Sequence, residues 1–159
     1  NFLFMNNKYI NIYNSLVNLS RNKDLYKNFT AQDTFSDRLI FFLIHFAFFL
    51  KAFKKNDKKI LQDIYDYIFK QLELSIREIG YGDASINKKM KDYINLFHSI
   101  IIKIENWNSF NLKEKNQIIK SQFSTANNDD LGIYFDKFSV ELENNTLNYY
   151  IKSVIKLKK

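Results

Sequence analysis

The residue types able to do chemistry crowd into positions 77–91. Arg77 and Glu78 form an ion-pairable couple, Asp83 adds a second carboxylate, and Lys88, Lys89 and Lys91 follow closely. Gly80 and Gly82, two of the three glycines in the chain, stand between them. Paired glycines near lysines invite a phosphate-loop reading. That motif wants a preceding strand and a Gly-Lys-Ser/Thr ending, or a GxGxxG run. Here the flanking patterns are helical, Ser85 comes without its lysine, and the Asp83 carboxylate would repel a phosphate. A corner between two helices is the reading these residues favour. Lysines opening the second helix face the positive end of its macrodipole, a locally unfavourable placement that suggests a partner; a solvated face is the commoner explanation.

Elsewhere the inventory is thin. The two histidines, His45 and His98, lie on different predicted helices, and there is no cysteine. Zinc needs three or four His, Cys or carboxylate ligands in tetrahedral array, so no metal is expected. His45, inside an aromatic run, reads as a hydrogen-bonded core histidine rather than a base. No GxSxG-type nucleophile motif occurs, and neither catalytic residues nor a cofactor are expected. Lys51, Lys54, Lys55, Lys58 and Lys59 cluster at one helix junction, and Lys152, Lys156, Lys158 and Lys159 form a basic tail. No RNP, RGG or zinc-finger signature accompanies them.

The elements that position these residues are helices. Residues 6–21 carry Tyr9, Ile12, Tyr13, Leu16 and Leu19 at helical spacing, and a short turn is expected over 23–29. Asp33 or Ser36 can cap a central helix running to Phe53. After a link at 54–56, Asp57 caps a helix with Leu61, Ile64, Ile68, Leu72, Ile76 and Ile79 inward and Asp63, Asp66, Lys70, Glu73 and Arg77 outward. Gly80 ends it by accepting left-handed backbone. Asp83 or Ser85 starts the next, with Ile86, Met90, Tyr93, Phe97, Ile101 and Ile104 inward. Residues 107–111 read as a loop, and 112–123, 130–143 and 146–157 as three weaker helices. The stripe of Ile133, Phe135, Phe138 and Leu142 needs a surface to pack on. With no proline and no strand alternation, the fold class is all-α: a single antiparallel bundle of six to seven helices over residues 1–159, with 107–159 docked on the first part.

Composition agrees. Sixteen Phe and ten Tyr among 159 residues supply a sizeable core, and the absence of cysteine suits a reducing compartment. A net charge of +7 admits anionic partners without demanding them. Residues 1–5 are too short for a signal peptide and lack a basic leader; they are expected to be disordered or foreign, with Met5 as the natural start. Residues 39–50 form the one long apolar run. Its length as helix is about 18 Å, short of a hydrocarbon core of about 30 Å, so no transmembrane segment is expected. Apolar residues go round that helix, which is either enclosed on all sides or leaves one face open as a docking surface; the enclosed reading is preferred because other helices can cover it.

Several of these pieces, in this order, resemble the ubiquinol–cytochrome c chaperones of bacteria and mitochondria, assembly factors for respiratory complex III. They are Tyr13, Asn14, Ser15, Leu16 and Val17; Leu25 and Tyr26; Asp33, Thr34, Phe35, Ser36, Asp37, Arg38 and Leu39, with His45 later in the same helix; and the corner itself. From Arg77 to Lys91 the chain is very like the family's R-E-[ML]-G-[VS]-G-D-x-[ST]-V-x-[KR]-[KR]-[VM]-K, departing at Tyr81 and Asn87. The resemblance implies a non-enzymatic chaperone that binds newly made cytochrome b during assembly and haem loading. It acts in the cytoplasm or against the cytoplasmic, matrix-equivalent face of the inner membrane. Mitochondrial relatives also work near the ribosome exit with a small partner protein. The motif carries over as Arg77, Glu78, Gly80, Gly82, Asp83, Lys88 and Lys91: the glycines set the turn, Asp83 caps, and Arg77, Lys88 and Lys91 contact client or partner. For Arg38 and His45 a buried polar network is expected. The lysines suit acidic loops, anionic lipid at a peripheral membrane contact, or ribosomal RNA. Two other classes remain: an RNA- or ribosome-binding module, and a helical enzyme for an isoprenoid-like or quinone-like ligand, although no DDxxD pair occurs.

Overall fold

A computed structural model describes residues 8–29, 34–124, 126–153 and 155. Seven α-helices run through these residues, joined by two 3-10 turns, with no strand among them. They are α1 (Ile10–Ser20), α2 (Phe35–Ala52), α3 (Lys58–Glu78), α4 (Asp83–Ile104), α5 (Leu112–Lys120), α6 (Leu131–Glu143) and α7 (Leu147–Lys152). The 3-10 turns are Lys23–Tyr26 and Trp107–Ser109. Residues 1–5, Asp33, Lys156, Lys158 and Lys159 lie outside the described residues.

Helix α2 is the axle. Its residues 41 to 49 are buried without a break, so no face of that stretch reaches solvent and the enclosed reading holds. Each full burial of a Phe or Ile here stabilises by about 1.5–3 kcal/mol. The covering residues come from every side. Tyr13 of α1 meets Phe42, Phe97 of α4 stacks on Phe46 at 5.1 Å, Phe135 of α6 stacks on Phe48 at 5.0 Å, and Tyr150 of α7 meets Phe49. Phe46 meets Phe97 and, further along, Lys51 meets Glu105, so the numbers rise together and α2 and α4 run parallel. Tyr65 opposite His98 and Arg77 opposite Asp83 show α3 and α4 antiparallel.

Helix ends follow local chemistry. Thr34, rather than Asp33 or Ser36, caps α2 by accepting the Asp37 N–H at 3.1 Å. Asp57 caps α3 through the Lys59 N–H at 2.8 Å. Asn111 and Glu114 close a reciprocal capping box on α5. Two of the last three helices are shorter than expected, α5 stopping at Lys120 and α7 at Lys152, whereas α6 runs to Glu143 as expected. Residues 107–111 are not plain loop. Trp107 opens a 3-10 turn and is 1% exposed, its indole N–H donating to Asp136 at 2.8 Å.

The stripes are right in phase and ragged at the edges. Ile64, Ile68, Leu72 and Ile76 are buried on α3, whereas Leu61 is half-buried and Ile79 is exposed where the chain leaves the helix. On α4, Ile100 takes the buried place assigned to Ile101, while Met90 and Tyr93 are half-buried. On α6, Phe135, Phe138 and Leu142 are buried, but Ile133 stays exposed.

Candidate functional site

The corner between α3 and α4 turns on one glycine in left-handed backbone. Gly80 has φ +103°, a conformation L side chains rarely adopt, and its N–H reaches back to the Arg77 carbonyl at 3.0 Å. Gly82 has φ −73° with open space where a Cβ would stand, so the turn does not require a glycine there. Gly82 is the N-cap of α4, and Asp83 is its first helical residue rather than its cap.

Asp83 instead turns back across the corner. Arg77 donates to it at 2.6 Å and to Glu73, one turn earlier on α3, at 3.2 Å. Lys70 meets the other oxygen of Glu73 at 3.3 Å. Arg77 therefore pairs with Glu73 and Asp83, not with its neighbour Glu78. The Asp83 and Glu73 carboxylates push the guanidinium pKa up, and the Arg77 hydrogen bond holds the Glu73 carboxyl below its usual range despite an opposing desolvation effect. All these groups are solvated to some degree, which limits what the pairs add to stability. Lys89 lies over the Tyr81 ring at 4.6 Å. Lys88 and Lys91 are exposed and have no carboxylate partner among the described residues.

Two concave surfaces flank α3 near this corner. One is an open groove of about 530 Å³ between α3 and α4, with Phe69, Met90 and Ile94 as floor and Glu73 and Lys91 on its walls. The other is a cleft of about 430 Å³ among α1, α2 and α3, lined by Val17, Phe42 and Leu72 and edged by Arg21, Arg38, Glu78 and Ile79. Glu78 thus belongs to the cleft, while Lys91 belongs to the groove.

His45 and Arg38 are not brought together. Seven residues of helix separate them, about 10 Å along the axis. Arg38 is half-buried over the Phe35 ring at the cleft. His45 is fully buried, with Nδ1 2.6 Å from the Phe41 carbonyl and Nε2 2.6 Å from the Tyr134 hydroxyl. A carbonyl only accepts, so Nδ1 carries the proton and Nε2 accepts from Tyr134. Burial holds the imidazole down to about 4 and pushes the Tyr134 phenol up. The pair is a neutral strut between α2 and α6.

Other polar anchors were not singled out in the sequence. Buried Asn128 donates to the carbonyls of Asp24 and Leu25 at 3.0 and 3.1 Å, tying the first 3-10 turn to the start of α6. Asp136 accepts from both Trp107 and Lys115. Gly132 lets α6 approach α5: its N–H meets Asn116 Oδ1 at 2.7 Å, and a Cβ there would stand 2.6 Å from the same oxygen. Among the described residues no group of three or more His, Cys, Asp or Glu could hold a metal ion, and no helix is long and apolar enough to cross a membrane.

Fold and surface define an all-α bundle with an enclosed aromatic helix and charged, apolar-floored grooves beside one glycine corner. A family model described as Ubiquinol-cytochrome C chaperone matches residues 27–113, which hold α2, α3, the corner and α4. That is more than half of the chain, and the protein belongs to this family. Searches of curated proteins and of solved structures gave no match.

Proposed function

We propose that this protein is a non-enzymatic assembly chaperone that holds newly made cytochrome b during biogenesis of ubiquinol–cytochrome c reductase. The observation that carries the reading is the family match over the segment containing the corner. The surfaces support it. A very hydrophobic client needs apolar shelter with polar edges, and the α3/α4 groove offers both beside the exposed Lys88 and Lys91. Arg77 and Asp83 hold the corner closed, Glu78 edges the neighbouring cleft, and Lys88 and Lys91 meet acidic groups of the client. The client places the chaperone at the cytoplasmic or matrix-equivalent face of the inner membrane.

Co-purification tests this. Tagged protein expressed with its own organism's cytochrome b should retain that subunit after gentle solubilisation, and a folded Lys88→Glu variant should retain several-fold less. Deleting the gene should lower assembled cytochrome b without lowering its transcript. Normal cytochrome b in the deletion strain would sink the proposal. Recovery of ribosomes or RNA in place of the client would move the function to nucleic-acid binding.

A further inference from the structure

At the end of the bundle away from the glycine corner, α2 and α4 finish side by side. Lys51 donates to the Glu105 carbonyl at 3.1 Å and joins the two ends. Beside that joint lies a groove of about 360 Å³ with a floor of Ala47, Leu50, Leu61 and Ile101. Ile102 edges it and is 72% exposed, the most exposed large hydrophobic side chain among the described residues. Lys51 and Lys54 line this groove and also a second pocket of about 270 Å³ on the other side of α2, which Lys55, Asn108 and Ser139 complete. Lysines and apolar surface therefore share one end of the molecule.

The charges there are largely uncompensated. Lys59 pairs with Asp63 at 3.7 Å, but Lys54, Lys55 and Lys58 have no carboxylate partner among the described residues. Glu105 and Glu143 at the pocket edges offset part of the excess. A lysine in the last turn of α2 complements the helix macrodipole, which accounts for Lys51. Lys54, Lys55 and Lys58 lie beyond that helix end, and nothing in the fold uses their charge.

We infer that this end of the bundle docks on an anionic phospholipid surface. Phosphates sit against Lys54, Lys55 and Lys58, and Ile102 enters the boundary between headgroups and acyl chains. The combination of a protruding aliphatic side chain and free lysines at one end of the bundle matches a bilayer, which presents apolar and anionic groups together; each lysine near such a surface strengthens binding about fivefold. The inference does not rest on the client reading, since the face is remote from the α3/α4 corner and vesicle binding is read without cytochrome b.

The test is co-sedimentation of the full chain with vesicles of phosphatidylcholine alone and of phosphatidylcholine mixed with phosphatidylglycerol. Binding should appear with the anionic vesicles only and weaken with salt. Lys54→Glu with Lys58→Glu should lower it by more than tenfold, and Ile102→Asp by several-fold, with circular dichroism unchanged. Lys23→Glu, on the first 3-10 turn beside Phe41, should have little effect. No binding, equal binding to neutral vesicles, or loss through the lysines with Ile102→Asp unaffected would each overturn the docking face.

Discussion

At the scale of single residues the corner separates two glycines that look alike in sequence. Gly80 adopts φ +103° and Gly82 does not leave the ordinary region. Gly80→Ala should therefore destabilise by about 1–2 kcal/mol, the cost of left-handed backbone on an L residue. Gly82→Ala should cost less, under about 1 kcal/mol, because its Cβ meets open space and only the poorer N-cap preference of alanine counts against it. Urea denaturation of both variants checks this, and equal losses would show that the corner needs both. Arg77 carries a similar lesson. The sequence offers Glu78 as its partner, but adjacent residues on a helix diverge, whereas Glu73 one turn back and Asp83 across the turn converge on it.

Between elements, the strut from His45 to Tyr134 ties α2 to α6 and makes their union sensitive to pH. Burial lowers the folded pKa of His45 to about 4 from the 6.5 of a free histidine. A lowered histidine pKa means the unfolded chain takes up a proton that the folded ring refuses. The contribution is complete above pH 6.5 and is lost progressively as pH falls toward 4. Between pH 7 and pH 5 the wild type should lose about 2 kcal/mol more than His45→Gln, whose amide does not titrate. Chemical denaturation at the two pH values measures it; parallel losses would place the titration elsewhere. Glu73 acts lower down, its stabilisation present above its free pKa and lost as pH falls through the lowered value. Helix positions along the chain were legible because they carry 3.6-residue stripes, and α2, α3, α5 and α7 also begin at a side-chain cap. Their ends were less so: Thr34 outcompeted its neighbours by geometry, and Trp107 drew its segment into a buried 3-10 turn by finding Asp136.

For the whole molecule, the telling fact is where the core is completed. The family match ends at residue 113, yet Phe135 of α6 covers Phe48 and Tyr150 of α7 covers Phe49. We propose on this ground that residues 107–159 are part of one folding unit with the rest. A chain ending at Asn106 would open the aromatic flank of α2 to water, and loss of a buried aromatic contact costs about 3–5 kcal/mol at each such site. It should aggregate or melt without cooperativity in gel filtration and thermal denaturation. A monomeric fragment with a sharp melt would instead make the C-terminal third a separate unit.

The sequence by itself determined the all-α class, the order of helices, the glycine-terminated corner and the resemblance to a chaperone family. These depend on near neighbours: helical periodicity, caps, and a fifteen-residue motif can all be read along the chain. Only the tertiary structure decided which carboxylates hold Arg77, that residues 41 to 49 of α2 are closed on every side, that Arg38 edges a cleft while His45 is a buried strut, and that Lys51 and Lys54 line a groove with Ile102. Those depend on partners tens of residues away, such as Tyr134 for His45. Periodicity tells which side of a helix is apolar, but not which helix will lie against it.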